Sequence, residues 1–507
     1  MKYFARLLSI ACLVGASTAC AETTRPNVLF IAIDDLKPVL GAYGDPYAHT
    51  PNLDKIASQG RIFDKAYCQY AVCAPSRASL LTGLRPDTAE VLDLKTDVRD
   101  VLPEVITLPQ HFGDSGYQVA GIGKIYHGGQ AKNQDNDISF GGNWRYTNGG
   151  KKRYYEPGKS EEEDSQLAKG KAFWNVRPSL TDRGKVDDHG LADGKMTQQA
   201  VGLIKELSKT RENTDKPFFL AVGYQRPHLP FNAPEKYWEL YDDTDFGYAD
   251  YRGTRQVPTG SLPWAPPGEG VEMRAYDDYP KGGIKDPAFA QHLAHAYYAC
   301  VSYVDALVGE LLTELEASGQ ADNTIIIVWG DHGWHLGDHD GFWAKHSNFE
   351  QATRAPLLIS YPGMPNPGAM NENVVEFVDI YPTLCDLAGI PLPEQPAELA
   401  LQGSSMAGII DNPDAPWSNL AFSQFSPMRN VMGHSLRNER YRLTVWYERG
   451  NNLDEKTQND QVVLTELYDY QSDPGETKNQ YSNPAYQAIA EAMFAQLDAG
   501  FGWKHAP

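Results

Sequence analysis

The sequence contains few cysteines. Only six of its 507 residues are cysteine, and two of these lie in the first 21 residues. Four cysteines in the rest of so long a chain are too few for a fold built on disulfides. If Cys73 has a chemical role, at most one disulfide can form among Cys68, Cys300 and Cys385, and the sequence does not indicate which pair.

Long apolar runs and a basic surface are also missing. After residue 21 no stretch reaches the ~20 apolar residues that span a bilayer as a helix, so the sequence predicts no membrane span. The chain carries 45 Lys and Arg against 66 Asp and Glu, a formal net charge of −21 at pH 7. Nucleic-acid binding requires a basic face, which this composition does not favour. The densest charge run, SEEEDS at 160–165, predicts a solvated loop.

The first 21 residues, 1–21, have the pattern of a signal peptide. A basic start and an apolar run to Gly15 precede Ala-Cys-Ala at 19–21, which fits a cleavage site. This pattern predicts export to the periplasm or out of the cell. Cys20 could instead accept a lipid, but Ser17 is a poor match to the branched residue expected there, so a lipoprotein is the less favoured alternative.

Five apolar segments predict strands of one sheet. Runs of apolar and β-branched residues without alternation are typical of strands buried on both faces, as in parallel sheets. Such runs lie at 27–33, 117–123, 217–224, 324–329 and 355–361. Helical patterns lie between them, at 52–60 and 287–318 for example. This alternation predicts an α/β domain with a large, mainly parallel sheet flanked by helices.

Polar side chains follow several of these strands directly. They are Asp34 and Asp35, Lys124, His228, and Asp331 with His332. Such residues often cap helices or begin turns, but here they share one sheet edge, where ligands of α/β proteins bind. Three carboxylates meeting there would repel each other unless a cation joined them. Because oxygen-rich sites suit Ca²⁺ or Mg²⁺ better than zinc, the sequence predicts a site for one of these two ions.

Cys73 stands at the predicted start of a helix. In AVCAPSRASLLTG, residues 71–83, Pro75 suits a first helical turn and Gly83 suits a helix end. A helix N-terminus favours negative charge through its free N–H groups and its dipole. A lone cysteine is more often an inert buried thiol. A structural cysteine does not require this position, however, so the placement favours a group that handles an anion.

CAPSRASLLTG resembles the signature of the type I, formylglycine-dependent sulfatases, C-x-P-S-R followed by L-T-G. Other segments agree with it, and they are most similar to the iduronate-2-sulfatases and their bacterial polysaccharide-sulfatase relatives. These segments include RPNVLFIAIDDLKPVLGAYG, GKIYH, FFLAVGYQRPHLPF, DHGWHLGDH and WAKHSNFEQAT. The similarity extends from about residue 25 to residue 480. It implies the alkaline-phosphatase-like sulfatase fold and a sulfuric ester hydrolase.

The resemblance implies a role for each candidate residue. The cysteine that matches Cys73 is oxidised in the family to formylglycine by a maturation enzyme, which is therefore an expected partner. The calcium ligands of the family, with Mg²⁺ as an alternative ion, match Asp34, Asp35, Asp331, His332 and residue 73 itself. Arg77 matches the arginine that holds the formylglycine hydrate. The expected contacts to the hydrate, the sulfate group or the substrate are Lys124, His127, His228, Trp334 and Lys345.

The family chemistry explains these residue types. One hydroxyl of the hydrate attacks sulfur, while calcium and the two lysines stabilise the charge on the sulfate oxygens. His228 is the expected proton donor to the leaving oxygen. His127 is the expected acceptor of the proton from the second hydroxyl, whose loss releases sulfate and restores the aldehyde.

The resemblance also implies two domains after the signal peptide. The expected catalytic domain is 22–411, and a smaller α+β domain with a short antiparallel sheet is expected at 412–507. Strands of that second domain are expected at 440–448 and 466–471, and a closing helix at 483–500.

The substrate stays open at this stage. The chain departs from the iduronate-2-sulfatase pattern at about 128–195 and 232–286, and these loops are expected to line a sugar pocket. A glycosaminoglycan 2-O-sulfate and an algal polysaccharide such as ulvan or carrageenan are both candidates. A phosphatase or phosphodiesterase of the same superfamily is an alternative, which Cys73 disfavours because those enzymes use Ser or Thr with zinc. A non-catalytic glycan-binding protein is a further alternative, which the complete set of polar residues disfavours.

Overall fold

The fold is described from a computed structural model. The structure describes residues 25–127, 138–145, 159–171, 176–248, 272–428, 431–448 and 461–501. The predicted signal peptide, with Cys20, lies outside these ranges, as do large parts of the two predicted sugar-pocket loops. Within the described ranges, no helix is both long and apolar enough to cross a membrane.

The described residues form strands and helices in alternation along most of the chain. The strands are β1 Asn27–Ile33, β2 Arg61–Tyr67, β3 Gln118–Gly123, β4 Trp144–Arg145, β5 Thr181–Gly184, β6 Phe218–Tyr224, β7 Phe231–Pro234, β8 Thr324–Gly330, β9 Leu357–Ser360, β10 Met370–Glu376, β11 Ala421–Met428, β12 Val431–Arg437, β13 Tyr441–Glu448 and β14 Gln461–Asp469. Apart from the irregular segment Asp338–Gly341, the α-helices are α1 Pro51–Gln59, α2 Cys73–Thr82, α3 Pro86–Ala89, α4 Val98–Val101, α5 Leu108–Asp114, α6 Lys159–Ala168, α7 Ala192–Thr214, α8 Glu235–Glu239, α9 Pro287–Ala317, α10 Glu350–Thr353, α11 Ile380–Leu387, α12 Ala407–Asp411 and α13 Gln487–Phe501.

Eight strands form the main sheet, in the order β10-β2-β9-β8-β1-β6-β3-β4. The central strand β1 pairs in parallel with β6 and β8. Its last residue, Ile33, lies opposite both Tyr224 and Gly330, so the three strands end at one level. The predicted mainly parallel sheet is therefore confirmed, and the residues that follow these strands share one edge.

The strand predicted at 355–361 differs from the other four in direction. It forms β9, which runs antiparallel to both β8 and β2. The chain leaves β8 at the polar edge and returns into the sheet without a crossover helix, so the returning strand must run the opposite way.

Both faces of the main sheet are buried. Leu29 and Ile31 of β1 pack into one apolar core, and Val28 and Phe30 pack into the other. Helix α7 covers β3 and β6 on one face and packs against the long helix α9. Burial on both sides explains why β1 is an unbroken apolar run rather than an alternating one.

A four-stranded antiparallel sheet, β11-β12-β13-β14, follows the main sheet in the chain. Helix α13 covers it, with Leu497 in the same apolar cluster as Phe422 and Leu443. The two predicted strands and the closing helix are confirmed, although the helix begins at Gln487 after a 3₁₀ turn. The amide of Gln424 donates to the carbonyl of Gln69 at 2.8 Å and ties this sheet to the main domain. The domain boundary after residue 411 stays a prediction.

The acidic segment at 160–165 differs from its prediction. The prediction of a solvated loop at 160–165 is wrong, because these residues belong to α6, where Glu163 is buried. A run of glutamates is compatible with a helix when one face packs on the protein.

Cys68, Cys300 and Cys385 are all buried free thiols, so none of the three possible disulfides is present.

Candidate active site

The turn after β1 places two carboxylates at the sheet edge. Asp35 has a positive φ of 58°, which reverses the chain directly after Asp34. The amide of Asp35 donates to Oδ1 of Asp331 at 3.0 Å, and the hydroxyl of Tyr297 donates to the carbonyl of Asp35 at 2.6 Å. These two bonds fix the turn from both sides, so both carboxylates are held in the buried edge.

The end of β8 supplies a third carboxylate and an imidazole. Nδ1 of His332 lies 3.0 Å from the carbonyl oxygen of Gly333, which orients the ring. Nε2 therefore points at the site, 3.4 Å from Oδ1 of Asp35 and 3.6 Å from Oδ1 of Asp331. The predicted convergence of the acids with His332 is present in the structure.

Helix α2 begins at Cys73, which is only 1% exposed. The Sγ atom of Cys73 lies 3.4 Å from Nε2 of His332 and 4.0 Å from Oδ1 of Asp35. The predicted helix is confirmed, with Val72 as the residue that precedes its first turn. The side chain of residue 73 is thus directed from the helix N-terminus at the acidic cluster.

Arg77 lies one helical turn after Cys73 and joins three elements. Its Nε donates to Oδ2 of Asp331 at 2.9 Å, and one terminal nitrogen donates to Oδ1 of Asp34 at 3.2 Å. The other terminal nitrogen donates to the carbonyl of Ile125 at 3.1 Å. Arg77 is fully buried, so these bonds hold the helix start against the ends of β1, β3 and β8.

Two lysines approach the cluster from opposite sides. Lys124, which follows β3, forms an ion pair with Asp34. The Nζ of Lys345 lies 2.8 Å from Oδ1 of Asp35 and 3.4 Å from Sγ of Cys73. Gly223 permits the close approach of Lys124, because a Cβ there would lie 2.2 Å from the lysine carbonyl group.

His228 lies in the loop after β6. Nδ1 of its ring lies 2.8 Å from the carbonyl oxygen of Leu229. The carboxylate of Asp193 holds this loop, since it accepts from the amide of Gln225 at 3.1 Å and from that of Arg226 at 2.8 Å. His228 is therefore held in one orientation at the edge of the site.

The two remaining predicted residues have different surroundings. His127 is partly buried, and its Nδ1 has no hydrogen-bond partner among the described residues. Trp334 is fully buried, and the Nζ of Lys345 lies 5.6 Å from its ring centroid. Trp334 thus stands behind Lys345 as a cation–π partner. The predicted substrate contact of Trp334 stays a prediction.

Burial and neighbouring charges set the protonation of the site. Burial raises the pKa of Asp35 to about 6, although Lys345 opposes the change. Burial also acts to raise the pKa of Asp34, but Lys124, His228 and Arg77 together hold it well below its usual range. Burial and the charge of Lys124 lower the pKa of His127 to about 4, so this imidazole is neutral at pH 7 and can accept a proton.

The buried donor atoms form two overlapping groups that can hold a metal ion. Within each group the candidate atoms all lie within 4.8 Å of one another. The groups are Asp34, Cys73, Asp331 and His332, and Asp34, Asp35, Cys73 and His228. Two of the four donor atoms in each group are carboxylate oxygens, which suit a hard divalent cation, and an oxygen in place of the Cys73 sulfur would make three. The residues present therefore fit the ion that the sequence predicts.

Three contacting residues were not predicted from the sequence. The hydroxyl of Ser76 donates to the carbonyl of Asp331, and Ser76 could have been found because it lies inside the C-x-P-S-R motif. Tyr297 lies among apolar residues of α9, where nothing in the sequence marks it. Glu272, whose carboxylate lies 3.3 Å from Nε2 of His228, is part of a loop predicted only as a whole.

The fold and this edge define a class of protein. A large mixed sheet flanked by helices, followed by a small antiparallel sheet, is the architecture of the alkaline-phosphatase-like fold. The chain aligns with the crystal structure of a phosphonate monoester hydrolase of Agrobacterium radiobacter with a TM-score of 0.68, at 22% identity and over 94% and 96% of the two chains. This likeness confirms the fold.

Sequence comparisons identify the family. A family model described as Sulfatase matches residues 26–390, and one described as N-sulphoglucosamine sulphohydrolase, C-terminal, matches residues 337–500. The chain is 32% identical to iduronate 2-sulfatase of Mus musculus, over 97% of each protein. It is 30% identical to a sulfatase of Formosa agariphila, over 94% of this chain and 87% of that protein. The chain therefore belongs to the sulfatase family and is an enzyme, a sulfuric ester hydrolase.

Proposed function

We propose that this enzyme removes sulfate from a sulfated saccharide, with a formylglycine formed from Cys73 and with a bound Ca²⁺. One observation carries the proposal. The side chain of residue 73 leaves the start of α2 within 3.4 Å of both His332 Nε2 and Lys345 Nζ. A group at this position faces the candidate metal ligands and a cation at the same time, as a nucleophile for an anionic ester must.

The proposed metal ligands are Asp34, Asp35, Asp331, His332 and residue 73, the set that the family resemblance implies; each belongs to at least one of the two groups of donor atoms. Ca²⁺ is the ion that we favour for this oxygen-rich set, and Mg²⁺ is the alternative. When bound, the ion and the formylglycine supply positive charge for the sulfate oxygens and a nucleophilic oxygen of lowered pKa at residue 73. In the protein itself the carboxylates of Asp34, Asp35 and Asp331 are paired with Arg77, Lys124 and Lys345, so a bound divalent ion would add positive charge to the site.

The other side chains bind the ester and move protons. Lys124 and Lys345 stabilise the charge on the sulfate oxygens from two sides. His228 protonates the leaving oxygen, and its ring is oriented for this by the Leu229 carbonyl. His127, which is neutral at pH 7, accepts the proton that residue 73 must lose. Arg77 donates to Asp34 and Asp331 and so keeps the start of α2, with residue 73, next to these acids.

The saccharide is proposed from the relatives. The similarity to an iduronate 2-sulfatase over nearly the whole chain favours a glycosaminoglycan 2-O-sulfate. An algal polysaccharide fragment such as ulvan or carrageenan is the other candidate. The proposal includes export, as the first 21 residues predict, and maturation by a formylglycine-generating enzyme.

Activity on a panel of substrates tests this function. The panel contains sulfated di- and oligosaccharides from glycosaminoglycans and from green and red algae, and release of inorganic sulfate is measured. We expect release from at least one saccharide by the matured, calcium-loaded enzyme, and none by C73A. The absence of release from every saccharide, in protein shown to contain formylglycine and calcium, would contradict the proposal.

A further inference from the structure

Glu272 contacts Lys345 and His228 from outside every motif discussed above. Its Oε1 lies 3.3 Å from Nε2 of His228, and its Oε2 lies 3.6 Å from Nζ of Lys345. The side chain of Glu272 is 18% exposed and that of Lys345 is 3% exposed. The carboxylate is thus largely enclosed between two groups that the proposed function assigns to the leaving oxygen and to the sulfate.

A carboxylate and a sulfate group make the same demand on these donors. Both present anionic oxygens that accept charge-assisted hydrogen bonds from ammonium and imidazole N–H groups. Two anions cannot share Lys345 and His228 at this separation without strong repulsion. Sulfate binding to these two residues therefore requires that the Glu272 carboxylate move away.

The charge of Glu272 is fixed by the same neighbours. Burial acts to raise its pKa, but His228 and Lys345 outweigh burial and hold the pKa below the usual range of a glutamate. Glu272 is consequently an anion at neutral pH. Its negative charge offsets part of the positive charge that a bound divalent ion would add to the site.

A second cation lies next to the carboxylate. One terminal nitrogen of Arg177 lies 3.9 Å from Oε1 of Glu272. The guanidinium also stands over the ring of Tyr276, at 5.3 Å from the ring centroid. Arg177 can therefore keep Glu272 paired when Lys345 and His228 turn to another anion.

We propose that Glu272 competes with sulfate for Lys345 and His228, and that it thereby sets the affinity of the site for sulfate groups. The inference rests on the proposed function, because it assigns the sulfate to these two residues. In the substrate-free enzyme the carboxylate occupies the donors. Binding of a sulfate ester displaces it to Arg177, and its return favours release of inorganic sulfate.

Binding of inorganic sulfate to the matured, calcium-loaded full chain tests the inference. Titration calorimetry compares the wild type with E272Q, which keeps the shape of the side chain and removes its charge. We expect E272Q to bind sulfate about tenfold more tightly, because the apparent affinity falls by the fraction of sites in which a competitor holds the donors. The inhibition constant of sulfate and the KM should fall with it. E310Q is the matched control, since Glu310 pairs with His189 at 3.0 Å outside the site, and its sulfate affinity should equal that of the wild type.

The outcomes separate the inference from the proposed function. A merely structural role of Glu272 would make sulfate bind more weakly in E272Q. Equal or weaker binding by E272Q, with wild-type sulfate binding and turnover intact, would overturn the inference alone. If neither protein binds sulfate and neither hydrolyses a sulfate ester, the proposed function and the inference both fail.

A double-mutant cycle tests the part assigned to Arg177. R177Q should weaken sulfate binding in the wild-type background, because the displaced carboxylate loses its partner. In the E272Q background the same change should have no effect. An equal loss in both backgrounds would contradict the inference that Arg177 acts through Glu272.

Discussion

Cys73 and Arg77 lie one turn apart on α2 and reach the same acidic cluster, but they depend on it differently. Arg77 is bound to Asp34, Asp331 and the Ile125 carbonyl, whereas Cys73 makes only long contacts through Sγ. The arginine therefore stabilises the edge, and the cysteine contributes little to it. This difference allows the chemistry of residue 73 to be tested without loss of the fold.

We predict that Cys73 is formylglycine in active enzyme. Mass spectrometry of the peptide that contains residue 73, from protein produced with a maturation enzyme, should show the aldehyde. C73A should abolish turnover and change the free energy of unfolding by no more than about 1 kcal/mol, because few contacts are lost. Full activity in a sample that contains only unmodified cysteine would refute the prediction.

Substitution of Asp331, a second single residue, tests the proposed metal site. D331N removes one charge from the candidate ligands and keeps only one of the two acceptor oxygens, which bind Arg77 and the amide of Asp35. We expect the calcium affinity to fall at least about tenfold, and activity to fall with it. D305N is the matched control: Asp305 is also buried, but it accepts from the amide of Leu53 at 2.7 Å. D305N should lower stability and leave calcium affinity unchanged; equal calcium affinity in D331N and the wild type would exclude Asp331 as a ligand.

At the scale of elements, the sequence predicted the central strands of the main sheet, which are long apolar runs buried on both faces. The bounds of β1, β3, β6 and β8 lie within one residue of the predictions. Strands β2 and β10 were not predicted, because RIFDKAY and MNENVVE carry polar residues and lack a long apolar run. The antiparallel direction of β9 follows from the path of the chain through space, which local sequence does not encode.

The contact between α10 and the small sheet carries a prediction about pH. Glu350 of α10 accepts from Arg442 at 2.7 Å and from the hydroxyl of Tyr67 at 2.9 Å, and Nε of Arg437 lies 3.3 Å away. Burial acts to raise the pKa of Glu350, but Arg437, Arg442 and Arg354 outweigh burial and lower it to about 2. The ionised form is thus the one that stabilises the fold. This stabilisation is complete above the unfolded pKa near 4.5 and is lost as the pH falls towards 2.

E350Q should therefore lower the free energy of unfolding by about 3 kcal/mol at pH 7, since a buried ion pair loses one partner. The loss should shrink as the pH falls from 4.5 towards 2. Denaturant unfolding at several pH values measures both effects. E316Q is the control, because Glu316 pairs with Lys55 at 2.6 Å on the exposed surface and should contribute little. A loss in E350Q that does not change with pH would contradict the assigned role of the charge.

At the scale of the whole molecule, an acidic chain gathers cationic side chains at one place. The formal net charge is −21, yet Arg77, Lys124 and Lys345 all meet at one edge of the sheet. Lys124 follows β3 and Arg77 lies in the first turns of α2, whereas Lys345 lies in the loop between β8 and α10 and was expected at the site only from the family resemblance. The position of Glu272 could not be predicted, because only the tertiary fold brings that loop onto His228 and Lys345.

The central claim is hydrolysis of sulfate esters at residue 73, and the ratio of kcat/KM values for matched esters tests it most directly. The esters are an active sulfated saccharide from the panel, an aryl sulfate and an aryl phosphate, assayed with matured enzyme and with C73A. A phosphate monoester carries close to one more negative charge near neutral pH, since its second pKa is ~6, and Glu272 and the acidic surface disfavour that charge. We predict the highest kcat/KM for the saccharide, the lowest for the aryl phosphate, and no turnover by C73A. The highest kcat/KM for the aryl phosphate, or unchanged sulfate release by C73A, would contradict the account.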